Sequence, residues 1–161
     1  MGTPIQVGQK APDFTLKDQD KNDVTLSSFR GKKNVVLAFF PMAFSSFCSS
    51  ENACFQSDMA QFNHLDAQVL GISIDSVYAQ KAFADKLGVK YPLLADFHPK
   101  GAAASRFGLY LEDAGFTNRA TVIVDKEGVV RYVKTYDIPS QRDNKEIVQA
   151  LEGLKQPAGA R

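Results

Sequence analysis

Two cysteines, Cys48 and Cys54, are the residues of this sequence best suited to covalent chemistry. Two cysteines in 161 residues are too few for a disulfide scaffold, so each is expected to be structural, metal-binding or reactive. Cys48 comes after a continuous apolar run, residues 34–40. It lies near the start of a stretch of helical periodicity that begins near residue 46. This order predicts that Cys48 lies in the first turn of a helix, where free backbone N–H groups and the helix dipole favour an anion. A thiol in that position can ionise well below its usual pKa of about 8.5, and the thiolate is the reactive form.

The residues around Cys48 resemble the active-site signature of the peroxiredoxin family. Pro41, Ser45 and Cys48 match the family pattern Pro-x-x-x-Thr/Ser-x-x-Cys, and Glu51 follows three residues later, as is common in the family. The phrase at residues 40–44 resembles the one-cysteine AhpE-like branch. The wider chain also resembles the bacterioferritin-comigratory, or PrxQ-like, branch.

Two further segments carry the same resemblance. Residues 118–132 are similar to the strand that bears the family's active-site arginine, which assigns that role to Arg119. Residues 8–16 are similar to the family's N-terminal hairpin. The resemblance extends over residues 7–154 and implies a thiol-dependent peroxidase that reduces hydrogen peroxide and organic hydroperoxides.

The family's chemistry implies a role for each matched residue. The Cys48 thiolate attacks the terminal peroxide oxygen, becomes sulfenic acid and releases water or an alcohol. Donors should surround this path, and the resemblance assigns them to the Ser45 hydroxyl and the Arg119 guanidinium. Pro41 would cover the sulfur, and Glu51 would orient Arg119 from behind the site. No cofactor and no metal are implied.

Cys54 is the candidate resolving thiol, but its spacing is unusual. The PrxQ-like branch often places that cysteine five residues after the first, whereas Cys54 follows by six. On a helix, six residues at about 1.5 Å each separate the two by about 9 Å, and a disulfide tolerates Cα separations of up to about 7 Å. An intact helix would therefore have to unwind. Cys54 also falls on the apolar stripe with Phe47 and Phe62, which favours a core cysteine, so both roles remain open. If Cys54 is structural, an external thiol must reduce Cys48.

Three other classes of protein are considered. A thioredoxin-like thiol-disulfide oxidoreductase would carry Cys-x-x-Cys, which this sequence lacks. A metal-binding module would have to combine the cysteines with His64 and His98, whose spacing matches no zinc finger or ribbon. A non-catalytic thioredoxin-fold interaction protein would not need the family's active-site residues, so the match at Ser45, Cys48 and Arg119 argues against this class.

Strand and helix patterns alternate along the chain and must position these residues. This alternation predicts an α/β protein with a mixed central sheet and helices on both faces. The resemblance implies a thioredoxin-like fold with an N-terminal β-hairpin extension, and we expect residues 1–161 to form a single domain. Strands are predicted at 13–16, 24–26, 34–40, 67–74, 91–95, 120–124 and 129–136, and helices at 46–65, 77–87, 100–107 and 144–154.

Composition and family set the expected partners. A net charge of +1 predicts no attraction to nucleic acid or to anionic lipid. The sequence has no apolar run near the roughly 20 residues of a membrane span and no secretory signal pattern, so we expect a cytoplasmic protein. The resemblance implies a peroxide substrate and a thiol reductant, which could be thioredoxin, a glutaredoxin- or mycoredoxin-like protein, or a low-molecular-weight thiol. It also implies a homodimer. The aromatic residues Phe44, Phe47, Tyr78 and Phe116 could form the dimer face, part of the core or a hydrophobic peroxide pocket.

Overall fold

The computed structural model describes residues 3–137 and 142–155, with the backbone alone for helical residues 46–48, 51 and 155. Within these ranges the chain forms nine strands, five helices and a 3₁₀ turn. The strands are β1 (Thr15–Lys17), β2 (Asp23–Thr25), β3 (Asn34–Phe39), β4 (Ala67–Ser73), β5 (Leu93–Ala95), β6 (Tyr110–Leu111), β7 (Phe116–Thr117), β8 (Ala120–Val124) and β9 (Val130–Thr135). The helices are α1 (Ser46–Ser57), α2 (Met59–His64), α3 (Val77–Leu87), α4 (Ala102–Arg106) and α5 (Asn144–Lys155), and the 3₁₀ turn is Leu26–Phe29.

The described strands build a seven-stranded mixed sheet in the order β2-β1-β5-β4-β3-β8-β9. Strands β3, β4 and β5 are parallel neighbours, while β8 runs antiparallel to β3 and β9 antiparallel to β8. The β1–β2 pair forms the predicted N-terminal hairpin. The predicted mixed sheet is therefore confirmed. The β6–β7 pair was not predicted, because strands of two residues are too short to show a periodic pattern.

The central strand β3 is buried along its whole length, and its alternate residues enter two cores. Val35, Leu37 and Phe39 face the core that contains α4. The intervening residues face the other core, which α1, α2, α3 and α5 cover with Phe55, Phe62, Phe83 and Ile147. A continuous apolar run is the pattern expected of a strand that is buried on both faces. The prediction of helices on both faces of the sheet is confirmed.

One predicted helix is two helices in the structure. The pattern over 46–65 predicted a single helix, whereas α1 ends at Ser57 and α2 begins at Met59. The break lies at Asp58, whose N–H still bonds the Cys54 carbonyl at 3.1 Å while its carboxylate accepts from the Asn144 amide at 2.9 Å. Aspartate disfavours a helix interior because its side chain offers other hydrogen bonds. Neither these helices nor the others in the described ranges are long and apolar enough to cross a membrane.

Helix α3 follows its sequence signals closely. The Ser76 hydroxyl accepts the Ala79 N–H at 3.2 Å and caps the helix, and Gly88 ends it with a φ of +68°. Serine and glycine are typical of these two positions of a helix. Because α3 begins directly after β4, its first turn lies at the same edge of the sheet as the start of α1.

Candidate active site

Strand register brings the two predicted halves of the site together. Phe39, the last residue of β3, pairs with Ala120, the first residue of β8. Arg119 therefore enters β8 at the edge of the sheet where the chain leaves β3 toward Pro41. The separation of 78 residues between Pro41 and Arg119 in the sequence is bridged by this antiparallel pairing.

Cys48 is the third residue of helix α1, and its predicted position in the first turn is confirmed. Ser45 precedes the helix in an extended conformation, and its carbonyl accepts the Ser49 N–H at 2.9 Å. The Ser45 hydroxyl makes no capping hydrogen bond, and the first turn contains no acidic residue. The N-terminal end of α1 thus keeps a field that favours a thiolate at Cys48. The side chains of Cys48 and Glu51 lie outside the described residues.

Arg119 is the largest fully buried side chain among those described, with 1% of its surface exposed. Its backbone is fixed on both sides: the N–H donates to Asn118 Oδ1 at 2.9 Å, and the carbonyl accepts the Tyr136 N–H at 2.9 Å. A guanidinium keeps its charge in proteins and is almost never buried without polar or anionic partners. Its burial at this edge is the electrostatic feature expected beside an anionic sulfur.

The chain is similar to known proteins over most of its length. The model of the AhpC/TSA family matches residues 7–133. The chain is 39% identical over 150 residues to alkyl hydroperoxide reductase E of Mycobacterium tuberculosis, covering 93% of this chain and 98% of the relative. It is 33% identical over 159 residues to the chloroplastic 2-Cys peroxiredoxin BAS1 of Hordeum vulgare, covering 92% and 75%.

This chain is a peroxiredoxin of the AhpC/TSA family.

Solved structures lead to the same family. The crystal structure of Enterococcus faecalis AhpC has a TM-score of 0.84 and 33% identity, covering 92% of both chains. The peroxidoxin BcpB of Mycobacterium tuberculosis has a TM-score of 0.86 and 28% identity, covering 94% of this chain and 99% of that one. The predicted thioredoxin-like fold and thiol-dependent peroxidase activity are therefore confirmed at the level of the family. The alternative of a thiol-disulfide oxidoreductase or a non-catalytic module is not favoured.

The peroxiredoxin has a second arginine at this edge that the sequence analysis missed. Arg142 donates to the carbonyls of Phe39 and Ala120 and to Thr121 Oγ1 at 3.0 Å. Its guanidinium carbon lies 5.6 Å from the Tyr136 ring centroid. It thus joins the end of β3 to the start of β8. No local pattern marks Arg142, because its partners are backbone carbonyls distant in the sequence.

Helix α1 is anchored beyond its first turn. Asn52 is 2% exposed, and its side-chain oxygen accepts from the Tyr91 hydroxyl at 2.5 Å. Phe55, three residues further on, packs against the Tyr91 ring with a centroid distance of 6.3 Å. Residues three apart on a helix lie on one face, so Tyr91 holds that face against the core.

Cys54 is an exposed free thiol, which corrects one of its two predicted roles. The apolar stripe over 46–65 was taken as favouring a core position, but the stripe that faces the core passes through Asn52 and Phe55. Cys54 therefore lies beside the buried face rather than on it, and the core role is wrong. Because Cys48 and Cys54 belong to one continuous helix, the expected axial separation of about 9 Å stands.

The remaining site residues lie close together along the chain. Pro41 is buried in the loop after β3, and Ser45 is half-buried just before α1. No group of three or more His, Cys, Asp or Glu residues that could hold a metal occurs among the described side chains.

Proposed function

We propose that Cys48 is the peroxide-reducing nucleophile of this enzyme and that Arg119 and Ser45 supply the donors. The observation that carries the proposal is the buried Arg119 side chain at the sheet edge from which the loop to Cys48 departs. In the reaction, the Cys48 sulfur forms a bond to the terminal peroxide oxygen while the O–O bond breaks. The sulfur is oxidised to sulfenic acid, and the departing oxygen takes a proton to leave as water or an alcohol.

The other matched residues act on the same step. Negative charge moves from the sulfur to the leaving oxygen, so fixed donors along that path lower the barrier. The Arg119 guanidinium and the Ser45 hydroxyl are the donors that we assign to this path. Pro41 is buried at the loop and limits access of water to the sulfur. We assign Glu51 the role of orienting Arg119.

The proposal is tested by stopped-flow oxidation of the reduced enzyme with hydrogen peroxide and an organic hydroperoxide. Cys48→Ser is expected to abolish peroxide consumption, whereas the matched control Cys54→Ser is expected to keep the wild-type rate of the first oxidation. Mass spectrometry should find the added oxygen on Cys48. A Cys48→Ser enzyme that still consumed peroxide would overturn the assignment.

For the second half of the cycle we propose an external thiol as the reductant of the folded enzyme. The helical separation of Cys48 from Cys54 exceeds what a disulfide allows, and the anchored face at Asn52 and Phe55 opposes unwinding near Cys54. A protein of the thioredoxin or glutaredoxin type, a mycoredoxin-like protein or a low-molecular-weight thiol fits this role. After one equivalent of peroxide, thiol counting should find Cys54 free. A Cys48–Cys54 disulfide would instead assign Cys54 as the resolving thiol.

We further propose that the enzyme is a cytoplasmic homodimer in which each chain is one domain. A reducing compartment suits an enzyme that must return Cys48 to its thiol. Support for the dimer comes from an apolar rim of four exposed side chains, Met42, Phe44, Tyr78 and Phe97. They follow the carboxyl ends of the parallel strands β3, β4 and β5 and therefore share one edge of the sheet. Tyr78 and Phe97 also line an open groove of about 660 Å³. Exposed apolar surface of this kind is typical of association sites.

A further inference from the structure

The turn that leads into helix α1 contains an unusual backbone conformation. Phe44 has a φ of +70°, in the left-handed region that a bulky side chain rarely adopts. Phe44 immediately precedes Ser45, so its conformation sets the direction in which the chain enters α1. An unfavourable conformation persists only where the surroundings fix it. Something in the structure must therefore hold this turn.

The holding contact comes from the neighbouring parallel strand. Asp75, two residues beyond the end of β4, accepts the Ala43 N–H at 2.8 Å with its carboxylate oxygen Oδ2. Ala43 is the residue before Phe44, so this bond fixes the peptide unit at the start of the strained turn. Hydrogen bonds to a charged acceptor are roughly twice as strong as neutral ones.

Asp75 is itself oriented by buried side chains. The Ser73 hydroxyl donates to the same Oδ2 at 2.5 Å. Ser73 Oγ in turn accepts from the Gln80 amide at 2.8 Å, and that amide also donates to the Leu94 carbonyl at 3.0 Å. Ser73 and Gln80 are fully buried. Because Gln80 occupies Ser73 as an acceptor, the hydroxyl proton is directed at Asp75.

We propose that Asp75 is a positioning residue of the peroxidase site. Its carboxylate, held by Ser73, fixes the 41–45 turn and thereby places Ser45 and the first turn of α1 for peroxide attack. The effect reaches the reacting atoms through the backbone, since Asp75 bonds only the Ala43 N–H of that turn among the described contacts. This inference rests on the proposed function of Cys48.

The test compares two rates on the reduced full-length enzyme. Oxidation of Cys48 by hydrogen peroxide depends on how Ser45 and the thiolate are placed. Alkylation of Cys48 by iodoacetamide at high pH, distinguished from that of the exposed Cys54 by mass spectrometry, depends only on an accessible thiolate. Asp75→Ala is expected to slow peroxide oxidation at least about tenfold, since small displacements at a reacting centre are costly. Alkylation at high pH should stay unchanged. Asp75→Asn keeps a neutral acceptor for the Ala43 N–H and should recover part of the rate.

Asp85→Ala is the matched control, because it removes an exposed carboxylate from α3 that bonds only Lys81 among the described contacts. Thermal unfolding of every variant shows whether it is folded, and Asp75→Asn decides the question if Asp75→Ala does not fold. Oxidation of the Asp75 variants at the rate of the control would overturn the inference. So would an equal fall in oxidation and alkylation. A wild-type enzyme that failed to react with peroxide at Cys48 would instead overturn the proposed function.

Discussion

The Arg119 guanidinium is fully buried, and such burial is costly unless polar or anionic partners compensate for it. Removing an ion from water carries a desolvation penalty of several kcal/mol, which only well-placed partners offset. The main chain of Arg119 is fixed by hydrogen bonds to Asn118 and from Tyr136. In the role that we propose for Arg119, a charge held in place before the reaction would require no rearrangement during it.

Replacing Arg119 should therefore affect the chemistry more than the fold. Arg119→Met is expected to lower the rate of Cys48 oxidation by about 10²–10³, the usual effect of losing one such donor. It should also raise the pKa of the Cys48 thiol, because a nearby positive charge favours the thiolate. Stopped-flow oxidation and the pH dependence of alkylation measure the two effects. Arg30→Met, at an exposed arginine, is the control. Equal rates in both variants would contradict the role of Arg119.

At the residue scale, the sequence predicted the residues that belong to a local motif. It did not predict the residues whose roles depend on contacts distant in the sequence. Cys48 was placed in the first turn of its helix by residue order alone, and the resemblance named Arg119. Arg142 and Asp75 were not singled out, because each acts through backbone groups of residues far away in the sequence. A core position was one of the two roles predicted for Cys54, but Cys54 is exposed and the adjacent Phe55 is buried. Apolar periodicity alone does not show which residues at the border of an apolar helix face are buried.

Two features of the elements around the site depart from the periodic patterns of the sequence. Asp58 divides the predicted helix 46–65 into α1 and α2, and Phe44 turns the chain at a φ of +70° without a glycine. A left-handed conformation costs a non-glycine residue about 1–2 kcal/mol. The Phe44 ring offsets part of this cost by packing on Phe83 at 5.1 Å. Strand and helix types followed from the sequence, whereas these two features required knowledge of tertiary contacts.

We expect the β8–β9 turn to make a pH-dependent contribution to stability through Asp125. Desolvation raises the pKa of the Asp125 carboxyl, but hydrogen bonds from Arg131, Val129 and Glu127 outweigh it and lower the pKa below its usual value. The Arg131 bond is 2.6 Å long. A depressed folded-state pKa means that the carboxylate stabilises the fold above the unfolded-state pKa, and that this stabilisation is lost as pH falls through the folded value.

Asp125→Asn should accordingly lower the free energy of unfolding at pH 7, and the difference from wild type should shrink below about pH 4. Urea unfolding at a series of pH values measures the difference. Asp113→Asn, in the turn between β6 and β7, is a control at an exposed carboxyl. A difference that stayed constant from neutral to acid pH would show that the lost bonds, rather than the charge, are responsible.

At the scale of the whole molecule, the parallel strands bring the active-site loop and the apolar rim to the same edge of the sheet. Met42 and Phe44 belong to the loop that precedes Ser45, so association through the rim would cover part of the entrance to the site. The order of the central strands explains this proximity, and the sequence anticipated the mixed sheet but not the strand order. If subunits associate at this edge, their contact would influence the conformation of the 41–45 turn.

The proposed dimer predicts a clear effect at Tyr78, which is 71% exposed in the single chain. Tyr78→Glu places a charge in the rim and should shift the protein from dimer to monomer at micromolar concentrations, as measured by sedimentation velocity. Val7→Glu is the matched control, because Val7 is 59% exposed and lies outside the rim. Two variants with the same sedimentation behaviour would remove Tyr78 from the interface.

The Tyr91 contacts anchor helix α1 at Asn52 and Phe55, so we expect the free energy of opening to rise beyond Asn52. Opening of the helix beyond Asn52 would break the bond to the Tyr91 hydroxyl and expose Phe55. Local openings of this kind are resolved by amide hydrogen exchange. The amides of residues 49–51 should therefore exchange with solvent much sooner than those of residues 55–57. In that case Asn52 marks the residue at which opening of α1 from its N-terminal end would stop after oxidation of Cys48.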